Sequence, residues 1–179
     1  NQEFTDNGIK THTESLQESI SYYTNSLEID SVNPSSDKDI FDKVKDLNKY
    51  EGLIWGGSSL NIYSDTKEIR RQIEFMKECQ KRIKNILAIC WGMQVAVTAA
   101  GGVVNRGKNG AHRGIAHEIV INPDGLNHPI YKDKDKIFNT PAFNYDEVVT
   151  LPNNAILLSS NKVNNVMALN FETEFSKIW

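Results

Sequence analysis

Cys90 and its neighbours carry the clearest chemical signal in the chain. The segment Asn85-Ile86-Leu87-Ala88-Ile89-Cys90-Trp91-Gly92-Met93-Gln94-Val95-Ala96 opens as a short apolar run and closes as a helix. So short a run suits a buried parallel strand, and Gly92 follows just after the switch. A cysteine at a sharp strand-to-helix turn is pushed outward with its sulfur exposed. It also sits over the positive end of a helix macrodipole, which favours thiolate over thiol. The alternative is a buried cysteine packing as a small hydrophobe. The upstream segment Tyr50-Glu51-Gly52-Leu53-Ile54-Trp55-Gly56-Gly57-Ser58-Ser59-Leu60 argues against that. It is a second buried-strand pattern, opening into a glycine-rich loop. Glycines at a strand's carboxyl end let backbone N–H groups face a crevice, and an acyl-transfer nucleophile needs such donors for its oxyanion. Glycine and serine also suit an ordinary strand-to-helix turn. Both segments together, in this order and about one βα unit apart, point to a cysteine that attacks a carbonyl.

The elements needed to hold these two segments can be read along the chain. Thr11 to Leu27 has helical character, with Leu16, Ile20 and Tyr23 at helical spacing. Glu28 to Val32 reads as a short strand and Asp39 to Tyr50 as a helix, with Ser36 to Asp39 available as its cap. Thr66 to Lys84 is the clearest amphipathic helix, carrying Ile69, Ile73, Met76 and Ile83, with Cys79 packing near that stripe. The helix from Trp91 to Ala100 ends at Gly101-Gly102. Short strands follow at Val103-Val104, Gly114 to Asn122, Val148 to Leu151, Ala155 to Ser159 and Val166 to Phe171. Lys132 to Lys136 alternates in charge and reads as a solvated loop. Alternating β and α elements in the first half predict an α/β fold of flavodoxin-like, doubly wound type. Its sheet should be mostly parallel, with antiparallel edge strands from the second half.

Bulk properties narrow the class. A length of 179 residues suits one domain, 1–179, with a substantial core. Apolar runs stay at strand length, and the start carries no charged region followed by an apolar stretch, so a cytoplasmic protein off the membrane is expected. A net charge of −3 offers no footprint for nucleic acid, and two cysteines cannot form a disulfide framework.

Residues 88 to 94, Ala-Ile-Cys-Trp-Gly-Met-Gln, resemble the nucleophile motif Gly-x-Cys-x-Gly-x-Gln of the class I glutamine amidotransferases. Ala88 replaces the first glycine and is small enough for the turn to close. Tyr50 to Ser58 resembles that family's oxyanion strand. Ile69 to Ile73, Ala99 to Val104, Gly125 to Ile130, Asp146 to Pro152 and Ser160-Asn161 look like a stand-alone subgroup called GMP-synthase-like. The resemblance implies hydrolysis of the side-chain amide of L-glutamine through a γ-glutamyl thioester on Cys90, with ammonia passed to a synthetase partner or second site. It implies oxyanion donors at the Gly57 and Trp91 N–H groups, and substrate contacts at Gly56, Ser58 and Gln94. No cofactor or metal is expected. Two alternatives stay open: a hydrolase of γ-glutamyl amides or peptides from the same family, and a catalytically inactive binding module. Asn144 stands where relatives usually carry a histidine before x-Asp-Glu, which leaves the substrate's identity open.

The histidine such a cysteine requires is not legible. His12, His112, His117 and His128 all lie outside any segment resembling the family's Gly-x-Gln-x-His-Pro-Glu motif. Aligning Asn170 to Phe175 with that motif puts Glu172 in the histidine's place and defines a pseudoenzyme. The favoured reading takes Val166 to Phe171 as the penultimate strand, Glu172-Thr173-Glu174 as a turn and Phe175 to Trp179 as the start of the last strand. The histidine motif then falls beyond Trp179. Asn1 to Asp6 reads as the loop after a central first strand, so the chain looks clipped at both ends. Loss of that strand should leave two unpaired ladders.

Overall fold

A computed structural model describes residues 6, 8–24 and 26–179; the polar opening segment 1–5 lies outside the described residues. Helix α1 (His12–Tyr23) and the short α2 (Ile40–Lys43) precede strand β1 (Gly52–Trp55). Helix α3 (Lys67–Arg82), β2 (Asn85–Ala88) and α4 (Trp91–Ala99) follow. The second half supplies β3 (Val103–Arg106), β4 (His112–Ile121), β5 (Ile137–Asn144), β6 (Asp146–Thr150), β7 (Ile156–Ser160), β8 (Ala168–Glu172) and β9 (Lys177–Ile178).

Seven strands form one sheet in the order β1-β2-β9-β8-β7-β4-β5, and β3 pairs with β6 separately. Strands β1, β2 and β9 run parallel, while β8, β7, β4 and β5 join antiparallel from the second half. This is the flavodoxin-like α/β arrangement that alternation in the first half predicts. β1 ends the sheet and pairs directly with β2 from Gly52↔Asn85 to Trp55↔Ala88. One open ladder therefore stands where two were expected, because β1 and β2 are neighbours with no strand between them.

Three local expectations are corrected. The first helix ends at Tyr23, four residues short of Leu27, and none of its residues is fully buried. Leu16 and Ile20 are half-buried, but Tyr23 faces solvent, so the apolar stripe has little to hold its last turn. Residues 28–32 form no strand; Asp30 instead accepts hydrogen bonds from Tyr50 at 2.6 Å and Lys49 at 3.2 Å. The helix expected over Asp39 to Tyr50 breaks into α2 and a 3-10 turn at Leu47–Lys49, where the Asp46 carboxylate accepts from the Asn48 N–H. Local aspartate–backbone bonding competes with helix propagation in this way. β5 is an additional element: it carries Pro141 on an edge of the sheet, the place where a strand tolerates proline.

α3 is the best-patterned helix. Thr66 caps it by accepting from the Ile69 N–H, and Ile69, Phe75, Met76 and Cys79 are buried on its inner face. They join Ile83, Ile86, Trp91, Val95 and Val97 in one core beneath β1 and β2. Burying side chains of this size stabilises by about 1.5–3 kcal/mol each. That core is the floor on which the Cys90 turn rests.

Candidate active site

The turn between β2 and α4 holds Cys90 at φ 56°, ψ −107°, a left-handed conformation in a residue with a Cβ. Such backbone costs on the order of 1–3 kcal/mol and persists only where its surroundings impose it. The imposing contacts are identifiable. Ile89 donates its N–H to the Trp55 carbonyl at 2.8 Å, and Gly92 donates to the Gly56 carbonyl at 3.1 Å. A Cβ on Gly92 would stand 2.2 Å from the Trp55 carbonyl oxygen, so only glycine lets α4 approach β1 this closely. Trp91 anchors the turn from below: its indole is buried and donates to Gln72 Oε1 at 2.8 Å.

Cys90 is exposed while Cys79 is buried. The sulfur faces the glycine loop, as the strand-to-helix pattern predicts. A methyl group on Gly57 would lie 3.7 Å from Cys90 Cβ and 3.8 Å from Sγ. No described residue accepts the Gly57 N–H, and the Trp91 N–H points at the Cys90 sulfur. Two backbone donors thus flank the thiol. The surroundings push the Cys90 thiol above its ordinary value, because burial of the sulfur outweighs the Trp91 N–H. The helix end was expected to favour thiolate; no cationic side chain bonds to the sulfur among the described residues, so desolvation prevails.

The other expected contact residues are spread around this turn. Gly56 packs under the His12 ring, and Ser58 is exposed, its hydroxyl accepting from the Leu60 N–H at 3.3 Å. Gln94 lies one turn into α4, buried, and its Oε1 has no partner among the described residues. A buried amide oxygen without a donor is costly and is available to a ligand's ammonium or N–H.

The four histidines separate clearly. His112 is buried between β4 and β5, its Nδ1 2.8 Å from Asn144 Oδ1 and its Nε2 3.0 Å from Asn161 Nδ2. His117 is exposed on β4. His128 accepts from the Ile130 N–H, and burial lowers its basicity. His12, read from sequence as a surface residue ahead of a helix, instead lies against the glycine loop beside Cys90. Its contact depends on tertiary packing of α1, which no local spacing encodes.

Glu172 is not beside Cys90. It pairs with Lys177, which pairs with Asn85 at the start of β2, whereas Cys90 follows the other end of that strand. The carboxylate lies 3.7 Å from the Lys177 ammonium and lines a cavity of about 440 Å³ with Gln80 and Phe171. The alignment that sets Glu172 in the histidine's place is therefore corrected by the register. The alternative holds: β8 is followed by a turn at Thr173–Ser176 and then by β9. Trp179 continues the ladder, donating to Ile86 O at 3.0 Å while its carbonyl accepts from Ala88 N at 2.7 Å.

A three-stranded parallel core, a strained cysteine turn and a facing glycine loop define an α/β protein built for a nucleophile at a strand-to-helix elbow. The chain belongs to the family described as Glutamine amidotransferase class-I, which it matches over residues 4–176. It is 30% identical over 136 residues to the gamma-glutamyl-L-1-hydroxyisopropylamide hydrolase of a Pseudomonas species, covering 74% of this chain and 46% of that protein. It is 31% identical over 137 residues to gamma-glutamyl peptidase 4 of Arabidopsis thaliana, covering 75% and 54%. The chain thus spans about half the length of the curated relatives it matches. In fold it resembles a GMP synthase protein of Thermoplasma acidophilum, with a TM-score of 0.70 at 17% identity over 94% of this chain and 77% of that one. A glutamine amidotransferase of Thermotoga maritima gives 0.61 at 18% identity over 79% and 66%. Among the described residues, no helix is long and apolar enough to cross a membrane.

Proposed function

We propose that this chain carries the nucleophile half of a hydrolase acting on the side-chain amide of γ-glutamyl compounds. The observation that carries the proposal is the strained Cys90 turn set against the Gly57 and Trp91 N–H groups. The Cys90 thiol gives its proton to a base, and Sγ bonds to the γ-carbonyl carbon. The resulting oxyanion lies between the two N–H groups, where fixed donors stabilise charge that develops only during reaction. The C–N bond then breaks, the leaving nitrogen takes a proton, and water cleaves the thioester to glutamate and free thiol. Gln94 Oε1 accepts from the substrate's ammonium, with Gly56 and Ser58 bordering the bound group. The base is a histidine with a carboxylate partner, carried by residues that follow Trp179. β9 runs parallel to β2 and Trp179 stands level with its end, so a chain continuing past Trp179 emerges next to Cys90.

The names of the curated relatives favour a γ-glutamyl amide or peptide as substrate. L-Glutamine with transfer of ammonia to a synthetase partner is the second reading, supported by the family and by the glutamine amidotransferase among the structural neighbours. The test is release of amine from a γ-glutamyl amide, and of ammonia from L-glutamine, by the full-length protein and its Cys90→Ser variant. Release is expected from the first only. Equal release by both proteins would overturn the proposal.

A further inference from the structure

We infer that His12 contacts the leaving-group side of the bound amide; the inference rests on the hydrolase reading above. A single point ties it to the site. The methyl position on Gly57 that touches Cys90 Sγ at 3.8 Å also touches His12 Cε1 at 3.7 Å. The imidazole and the thiol therefore border the same gap above the glycine loop, from its two sides. At Gly56 the ring lies closer still, with Nδ1 2.9 Å and Cε1 3.1 Å from where a Cβ would be. Leu16, one turn further along α1, packs on the same spot at 3.3 Å.

The position of the ring is fixed by its own helix. Thr11 caps α1 and forms a reciprocal box with Glu14: the Thr11 N–H donates to Glu14 Oε2 at 2.7 Å, and the Glu14 N–H donates to Thr11 Oγ1 at 3.3 Å. His12 is the first residue after that cap, exposed, and no described side chain bonds to its ring. A positioned imidazole with free nitrogens at a nucleophile is available to substrate.

Geometry assigns the side. With the carbonyl carbon over Sγ and its oxygen between the Gly57 and Trp91 N–H groups, the two remaining substituents must leave in opposite directions. The acyl chain runs toward α4, where Gln94 Oε1 lies buried without a donor. The amide nitrogen and whatever it carries then run across Gly56 and Gly57 toward His12. An imidazole there serves substrates whose nitrogen bears a carbon substituent and gains little from unsubstituted amide.

The experiment compares kcat/KM for γ-glutamyl ethylamide and for L-glutamine in the full-length protein and in its His12→Ala and His12→Gln variants. Thermal melting verifies that the variants fold, and the iodoacetamide rate at Cys90 reports on the thiol. The expected result is a loss on the ethylamide at least about tenfold larger than the loss on glutamine in His12→Ala, partial recovery in His12→Gln, and an unchanged alkylation rate. Equal losses on both substrates, no loss on either, or slowed alkylation would overturn the inference while leaving the hydrolase reading standing. A wild-type protein that releases neither amine nor ammonia would overturn that reading and the inference with it.

Discussion

Gly57 and Cys90 face each other so closely that one methyl group on the glycine would stand 3.8 Å from the sulfur. That spacing is ordinary van der Waals contact, and the Gly57 backbone is not left-handed, so the free protein has room for the methyl. A substrate carbonyl needs the same room. Gly57→Ala should therefore keep its melting temperature within about 2 °C while kcat/KM falls roughly a hundredfold, the cost of spoiling an oxyanion donor. Melting and steady-state kinetics on the full-length protein measure the two effects separately. A melting temperature that falls along with activity would refute the distinction.

Gly92→Ala should do the reverse. Its methyl would meet the Trp55 carbonyl oxygen at 2.2 Å, a backbone atom that cannot swing aside. Forced overpacking of this kind costs about 3 kcal/mol and would push β1 and α4 apart. A shifted urea midpoint is the readout, and a variant as stable as the parent would contradict the close approach.

Thiol chemistry should distinguish the two cysteines by pH. Burial pushes Cys79 up to about 12, and raises Cys90 by less. Thiolate is the reacting form, so below a thiol's pKa the alkylation rate rises about tenfold per pH unit. Cys90 should alkylate much faster than Cys79 in the native chain, and its rate should still climb above the ordinary thiol range. Peptide mapping after iodoacetamide pulses checks this. Equal labelling of both cysteines under native conditions would contradict the exposed turn.

The Trp91–Gln72 pair tests how the turn is anchored. Gln72→Leu leaves the buried indole N–H without its acceptor, a penalty of about 1–3 kcal/mol. It also removes Gln72 Nε2, which is buried without a partner, so the net loss should be near the lower end of that range. Chemical denaturation gives the value, and a more stable variant would show that the bond contributes nothing.

What could be read in advance follows a physical division. The Cys90 turn, the glycine loop and α3 were legible because each is set by local sequence: an apolar run, a glycine where backbones meet, and a 3.6-residue stripe from Ile69 to Ile83. The site position of His12 was not, since it depends on how α1 packs against residues more than forty positions away. The absence of a strand at residues 28–32 arises from Asp30 bonding to Tyr50, and β5 was hidden by Pro141. The raised Cys90 thiol reverses the expectation from the helix end alone, because desolvation at the sulfur depends on walls that only the fold assembles.

Acylation of Cys90 is the step on which the proposed chemistry depends. Acid quenching of the full-length protein during turnover of a γ-glutamyl amide, followed by mass mapping of its peptides, observes that step itself. A γ-glutamyl group is expected on the peptide that contains Cys90, and none in the Cys90→Ser variant. Turnover with no adduct there, or with the adduct on another residue, would refute the thioester.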